Sequence, residues 1–292
     1  MTTVTRRRAR YGDRGTRSVT CDGVGPTVVL LHGFADSADT WNGVVDRLAA
    51  AGVPAVAVDL PGFGEADDLE AGDVLPQLDE FVAWVVESHR HPHGVVLVGN
   101  SLGALASLRA ACQGVPVLGV VTLAEPACGD SWLIRRFRRR RPSLLVQALG
   151  TRLPLPSAVS SALTTAAAGL ALGPAARRQD PAAARRLGDY LARRGGTAWA
   201  VRTSRALALE TEDCYRFAEV TCPVLVVHGA RDWVIPVNAA KKVHASIPHS
   251  RMLVEPRWGH CPQIQDPAGV TGLIRGFLHD IAAAEPGHGR AG

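Results

Sequence analysis

At 292 residues with 47% hydrophobic content, the chain suits one large domain with an insertion, or two small ones, and it can bury a sizeable core. The polar start from Met1 to Arg10 carries Arg6, Arg7 and Arg8 with no apolar stretch behind them, and other apolar runs are strand-sized, which argues against a secretion leader or a membrane span. The six cysteines (Cys21, Cys112, Cys128, Cys214, Cys222, Cys261) show no C-x-x-C spacing, which disfavours a zinc site or redox pair and fits reduced thiols in a cytoplasm.

In chain order, Arg8 to Tyr11 and Arg17 to Cys21 flank Gly12-Asp13-Arg14-Gly15 and read as a short antiparallel hairpin at a sheet edge. Val28 to Leu31, Ala55 to Val58, Val95 to Val98 and Val117 to Leu123 are near-continuous apolar runs of the kind parallel strands use when both faces are covered. Between them, Trp41, Val44, Val45 and Leu48 mark one amphipathic helix, and Leu78, Phe81, Val82, Val85 and Val86 mark another. His89, His91 and His93 alternate, but no acid or cysteine lies beside them and Pro92 interrupts them, so they read as a solvated turn rather than a metal site.

From 128 to 214 the rhythm changes to Ala- and Arg-rich helical stretches broken by Pro and Gly, with no strand visible. This segment holds 15 Arg against 6 acidic residues, a net +9, whereas residues 1–127 are net −6. Its charge peaks in Arg135-Arg136-Phe137-Arg138-Arg139-Arg140-Arg141. Nucleic-acid binding calls for basic residues interleaved with exposed aromatics or a known module, so the run reads as a solvated helix face. Strand and helix return with Val224 to Val227, Met252 to Val254, and a last helix carrying Val270, Leu273, Ile274, Phe277, Leu278 and Ile281. The expectation is an α/β core from 1–127 and 215–292, interrupted by a helical insertion over 128–214.

Gly99-Asn100-Ser101-Leu102-Gly103 lies where the run ending at Val98 turns into a small-residue helix, which is the setting of a nucleophile elbow. A serine hydroxyl attacks only if a base takes its proton, and a histidine serves as that base only if a third group fixes its tautomer. Asp232 follows the run Val224 to Val227 through His228-Gly229-Ala230-Arg231, and His260 follows the next strand, 28 residues later. The order Ser101, Asp232, His260 is the one such an elbow requires. An oxyanion needs two preset backbone donors. The amide of Leu102 is the first, and that of Phe34, after Leu31-His32-Gly33, is the second. His32 reads as a loop-fixing residue, Glu125 as the reserve acid, and Cys261 as packing. Among the aromatics of the insertion, Trp132, Phe137 and Trp199 are the candidates to line a pocket.

With Asp59-Leu60-Pro61-Gly62-Phe63-Gly64 added, the chain resembles the serine-nucleophile branch of the alpha/beta-hydrolase superfamily with a helical lid, over about residues 27–127 and 215–282. The resemblance implies a mostly parallel eight-stranded sheet, the lid inserted after the sixth strand, a pocket between lid and sheet, and no metal or organic cofactor. It implies a hydrolase acting on a carboxylic ester, thioester or lactone, with a small-molecule acyl substrate, anionic or carrier-bound if the arginine run takes part. Carbon–carbon bond hydrolysis, acyl transfer and lactone closure use the same triad, and Gly-Asn-Ser-Leu-Gly is similar to the elbow of carbon–carbon hydrolases, although Cys261 stands where those carry a tryptophan. Ser101 departs from the aspartate nucleophile of haloalkane dehalogenases and epoxide hydrolases, and the insertion contains no lysine of the kind hydroxynitrile lyases use. A ligand receptor built on a hydrolase shell is the alternative from another class.

Overall fold

A computed structural model describes residues 3–126, 132–138, 159, 162, 165–166, 196–211 and 217–284. Eight strands form one sheet: β1 (Val4–Tyr11), β2 (Arg14–Cys21), β3 (Thr27–Leu31), β4 (Ala55–Val58), β5 (Val95–Asn100), β6 (Gly119–Leu123), β7 (Val224–Gly229) and β8 (Arg251–Glu255), in the order β1-β2-β4-β3-β5-β6-β7-β8. The pairs β1·β2 and β2·β4 are antiparallel and the other five are parallel. This is the mostly parallel eight-stranded sheet that the resemblance implies, and the apolar runs form its parallel strands.

The helices are α1 (Asn42–Ala50), α2 (Val74–His89), α3 (Leu102–Cys112), α4 (Trp132–Arg138), α5 (Gly196–Glu210), α6 (Asn238–Ser246), α7 (Pro262–Gln265) and α8 (Pro267–Ala284) among the described residues. Successive strand residues face opposite sides, so each parallel strand feeds two cores. Val29, Leu31, Val95 and Leu97 pack toward α2, α3 and α6 with Phe81, Val82, Leu105, Leu108 and Val243. Val28, Leu30, Val96 and Val98 pack toward α1 and α8 with Val44, Leu48, Ile274 and Phe277. Covering both faces is what makes the strands read as unbroken apolar runs.

Two differences from the sequence reading are informative. The hairpin is longer, because Val4–Ala9 pairs residue for residue with Thr16–Cys21 although Arg6, Arg7 and Arg8 are exposed. An edge strand needs backbone partners on only one side, and charge on its free edge discourages further pairing. Helix α6 has no counterpart in the reading: its apolar side is only Ala239, Ala240 and Val243, set among Lys241, Lys242 and His244. Both bounds of the expected insertion, 128 and 214, lie outside the described residues. Helices α4 and α5 come in the chain between β6 and β7, which are neighbours in the sheet.

Candidate functional site

Ser101 closes the turn between β5 and α3 with its backbone at φ 51°, ψ −113°, a conformation that residues with a side chain rarely adopt. The crossing is tight on both sides. A Cβ on Gly99 would run into the Gly103 backbone, and one on Gly103 into the carbonyl of Leu31, so both positions exclude a side chain. The Ser101 amide donates to the Leu123 carbonyl at 2.8 Å, anchoring the turn to β6. Ser101 thus stands at the C-terminal edge of the sheet, buried but for 9% of its surface, with the positive end of the α3 dipole beside it.

Leu102 is the first residue of α3, where an amide has no carbonyl of its own helix to bond. The loop after β3 runs alongside: a Cβ on Gly33 would sit 3.4 Å from Ser101 Cβ and 3.2 Å from Asn100 Oδ1. Phe34 follows in a tight turn in which Asp36 N donates to Gly33 O at 3.3 Å and Ala35 is forced to φ 58°. His32 holds this loop from below. Its Nδ1–H donates to the Gly33 carbonyl at 2.8 Å, and its Nε2 accepts the Leu60 amide at 2.9 Å. Asp59, fully buried, accepts the amides of Ala38 (2.6 Å) and Glu65 (2.8 Å) together with the Arg17 guanidinium at 3.0 and 3.2 Å, joining the two loops that border Phe34. The sequence gives Asp59 only as part of a turn motif; its role as the tie between loops comes from contacts 21 and 42 residues away.

Asp232 and His260 come from different strand ends and meet. The loops carrying them are stitched by Ala230 N to Glu255 O and Arg231 N to Trp258 O, both 2.9 Å, and by Gly259 N to Gln265 Oε1 at 2.6 Å. His260 Nδ1–H donates to Asp232 Oδ2 at 2.9 Å, which leaves Nε2 of the neutral ring as the basic atom. Asp232 Oδ1 accepts the amides of Val234 (2.8 Å) and Ile235 (2.9 Å). Burial would push the Asp232 carboxyl up, but the His260 charge and hydrogen bond, the Ile235 amide and His228 outweigh it and hold the carboxyl below its ordinary range. Glu125, two residues past β6, is also buried, but the partner His260 Nδ1 takes is Asp232.

Asn100 links the serine to the histidine and is a residue the sequence reading passes over. Its Nδ2 donates to the His260 carbonyl at 2.9 Å and to Leu123 O at 3.3 Å, and its Oδ1 accepts from Gln263 Nε2 at 3.1 Å. The available signal is an amide side chain closing an otherwise apolar strand. Cys261 is buried here as well; burial first, then the charges of Asp36 and Asp232, push its thiol well above the ordinary range, which keeps it protonated and weakly nucleophilic.

Trp199, on α5, stacks on Phe34 with ring centroids 5.7 Å apart and meets Phe63 edge-on at 5.6 Å. Helix α5 therefore reaches the loop beside Ser101. The side chain of Trp132 lies outside the described residues. Phe137 is half-buried, and its carbonyl accepts Arg205 Nη1 at 2.8 Å. In the arginine run, Arg135 is exposed as expected, but Arg138 is not a solvated side chain: it donates to Ala208 O (3.0 Å), Thr211 O (3.1 Å) and Thr211 Oγ1 (3.2 Å), capping the C-terminus of α5. Arg139, Arg140 and Arg141 lie outside the described residues. Glu210, at the end of α5, accepts the first two amides of α2 at 2.9 and 2.6 Å.

His89 does not stand in a solvated turn: its Nε2 is 2.9 Å from the Tyr11 hydroxyl, and burial pushes Tyr11 up to about 12 and holds His89 below the ordinary histidine range. Among the described residues, no group of three or more His, Cys, Asp or Glu is placed to hold a metal ion, and no helix is long and apolar enough to cross a membrane. Cys21, Cys112, Cys222 and Cys261 form no disulfide among the described residues; Cys128 and Cys214 lie outside them.

Residues 28–273 match the model of the Alpha/beta hydrolase family. An esterase of Mycobacterium tuberculosis (strain H37Rv) is 28% identical over 268 residues, covering 88% of this chain and 84% of the esterase. The pimeloyl-[acyl-carrier protein] methyl ester esterase of Aeromonas salmonicida is 29% identical over 263 residues, covering 88% of this chain and 96% of its own. The crystal structure of an esterase from Rhodococcus sp. ECU1013 superposes with a TM-score of 0.66 at 26% identity, covering 94% of this chain and 99% of that one.

Proposed function

Because this chain belongs to the alpha/beta hydrolase family, we propose that it is a serine hydrolase cleaving a carboxylic ester, thioester or lactone through an acyl-enzyme on Ser101. The observation that carries this reading is the 2.9 Å bond between His260 Nδ1 and Asp232 Oδ2 at the sheet edge where Ser101 sits in its strained turn. His260 Nε2 takes the Ser101 proton as Oγ attacks the substrate carbonyl. Negative charge then moves to the carbonyl oxygen, where the amides of Leu102 and Phe34 receive it. Collapse of the tetrahedral species expels the alcohol or thiol, which leaves with the proton held by His260. A water, deprotonated by the same ring, then releases the acid and frees Ser101.

Residues 1–127 and 215–292 form the hydrolase core in this reading, and 128–214 is a helical lid. The pairing of β6 with β7 and the seat of Trp199 on Phe34 and Phe63 support it. Trp199 then forms part of the wall of the acyl pocket, with Phe137 and Trp132 further along the same insertion. The relatives named above are esterases, one of them acting on a carrier-bound methyl ester, which supports an ester substrate and extends its range to carrier-linked acyl groups. The test is a panel of chromogenic esters and thioesters of varied chain length and charge. Turnover by the unmodified protein should vanish in both Ser101→Ala and His260→Ala; activity retained in Ser101→Ala on the best substrate refutes the reading.

A further inference from the structure

Asp232 faces a second histidine. His228, on β7, has a fully buried side chain whose Nε2 lies 3.0 Å from the Ile235 carbonyl oxygen and 3.6 Å from Asp232 Oδ2. Both neighbours are acceptors only, so Nε2 carries the proton. Its Nδ1 is buried with no hydrogen-bond partner among the described residues, and a proton there would have no acceptor. Burial accordingly holds this imidazole below the ordinary histidine range, against the opposing pull of Asp232 and the Ile235 carbonyl. His228 is a neutral ring with one fixed tautomer. The Ile235 amide in turn donates to Asp232 Oδ1 at 2.9 Å, so ring, carbonyl, amide and carboxylate form a closed clamp around the turn from 232 to 235.

We propose that His228 is a positioning residue for Asp232: its Nε2–H fixes the turn through Ile235 and presents a positive dipole edge to Oδ2, limiting how strongly the carboxylate attracts a proton onto His260. At 3.6 Å the approach to Oδ2 is electrostatic rather than a hydrogen bond. The inference rests on the roles proposed above for Asp232 and His260. Among the described residues, the titratable and charged groups around the site are Asp232 and His228 from the β7 side, His260 and Cys261 from the loop after β8, Asp36 from the loop after β3, whose charge reaches Cys261, and the buried Glu125 just past β6. Among the described residues, His228 is the group besides His260 itself that brings an N–H toward Oδ2.

His228→Phe keeps a ring and removes the donor; His228→Gln places an amide nitrogen near the position of Nε2. With kcat/KM for a neutral ester followed against pH, the Phe variant should show the acid-limb midpoint raised by about half a unit or more, with kcat lowered several-fold and KM little changed. The Gln variant should recover most of both. Mere loss of packing would lower the active fraction and leave the midpoint in place. If the Phe variant does not fold, His228→Asn, whose amide reaches only the position of Nδ1, takes its place with the same expectation. An unmoved midpoint, or a Gln variant no better than the donor-less one, overturns the proposal. Asp232→Asn measured alongside separates the two levels: if it stays active, the role of Asp232 fails, whereas if it is inactive while the His228 variants keep the parent profile, only this inference fails.

Discussion

Replacing Asp232 by Asn alters one functional atom and leaves the scaffold around it in place. Oδ1 would still accept the Val234 and Ile235 amides at 2.8 and 2.9 Å, so the turn keeps its shape. At the position of Oδ2, 2.9 Å from His260 Nδ1, an acceptor becomes an NH2 donor facing another N–H. The ring resolves that conflict by moving its proton to Nε2, and then it can no longer take one from Ser101. Loss of a hydrogen bond to a charged group alone, about 1.5–3 kcal/mol, would slow the reaction roughly 10- to 150-fold. The wrong tautomer adds to this, and a fall of about 10⁴ in kcat, roughly 5.4 kcal/mol, is expected. Initial rates with a chromogenic short-chain ester, corrected for spontaneous hydrolysis and accompanied by a melting curve, measure it. A kcat within about tenfold of the parent, in a folded Asn variant, would show that Asp232 does not set the tautomer of His260.

Arg138→Ala should cost about 2 kcal/mol, since it removes three charge-assisted bonds at the end of α5, while Arg135→Ala on the exposed side should stay within about 0.5 kcal/mol; thermal melts of the two variants give the ranking. Trp199→Ala should raise KM for long or aromatic acyl esters well beyond its effect on acetyl esters, because the stack on Phe34 and Phe63 forms the proposed wall; equal effects on both would remove Trp199 from the pocket. For stability against pH, His89 and His228 are held below their ordinary range, so the unfolded chain binds more protons than the folded one as pH falls through about 6.5, and Tm should drop from pH 7 to pH 5. At the alkaline end, Tyr11 is raised to about 12, so its contribution is present below about 10 and is lost as pH climbs toward 12; Tyr11→Phe should flatten that limb.

The parallel strands are legible in the sequence because both of their faces are buried, and the seats of Ser101, Asp232 and His260 at strand ends, with the last two in contact, are legible because strand ends and chain order mark them. Strand limits are less so: β5 continues through Gly99 and Asn100, which lack apolar side chains but pair with Thr122 and Leu123. Helix α6 escapes because alanine carries little hydrophobic contrast beside two lysines and a histidine. Arg138 is hidden inside a run of like residues, and its acceptors lie 70 and 73 residues downstream, beyond any local pattern. Asn100 and His228 are hidden for the same reason: what each does depends on a carbonyl supplied by the fold, His260 across 160 residues for the first and Ile235 across a turn for the second.

The acyl-enzyme itself is open to measurement. With a slowly hydrolysed ester in turnover, the protein quenched in acid and analysed by mass spectrometry should carry one added acyl group, mapped to the peptide containing Ser101 and absent from Ser101→Ala. Turnover with no adduct at that serine under single-turnover conditions, or an adduct on another side chain such as Cys261, would contradict covalent catalysis by Ser101.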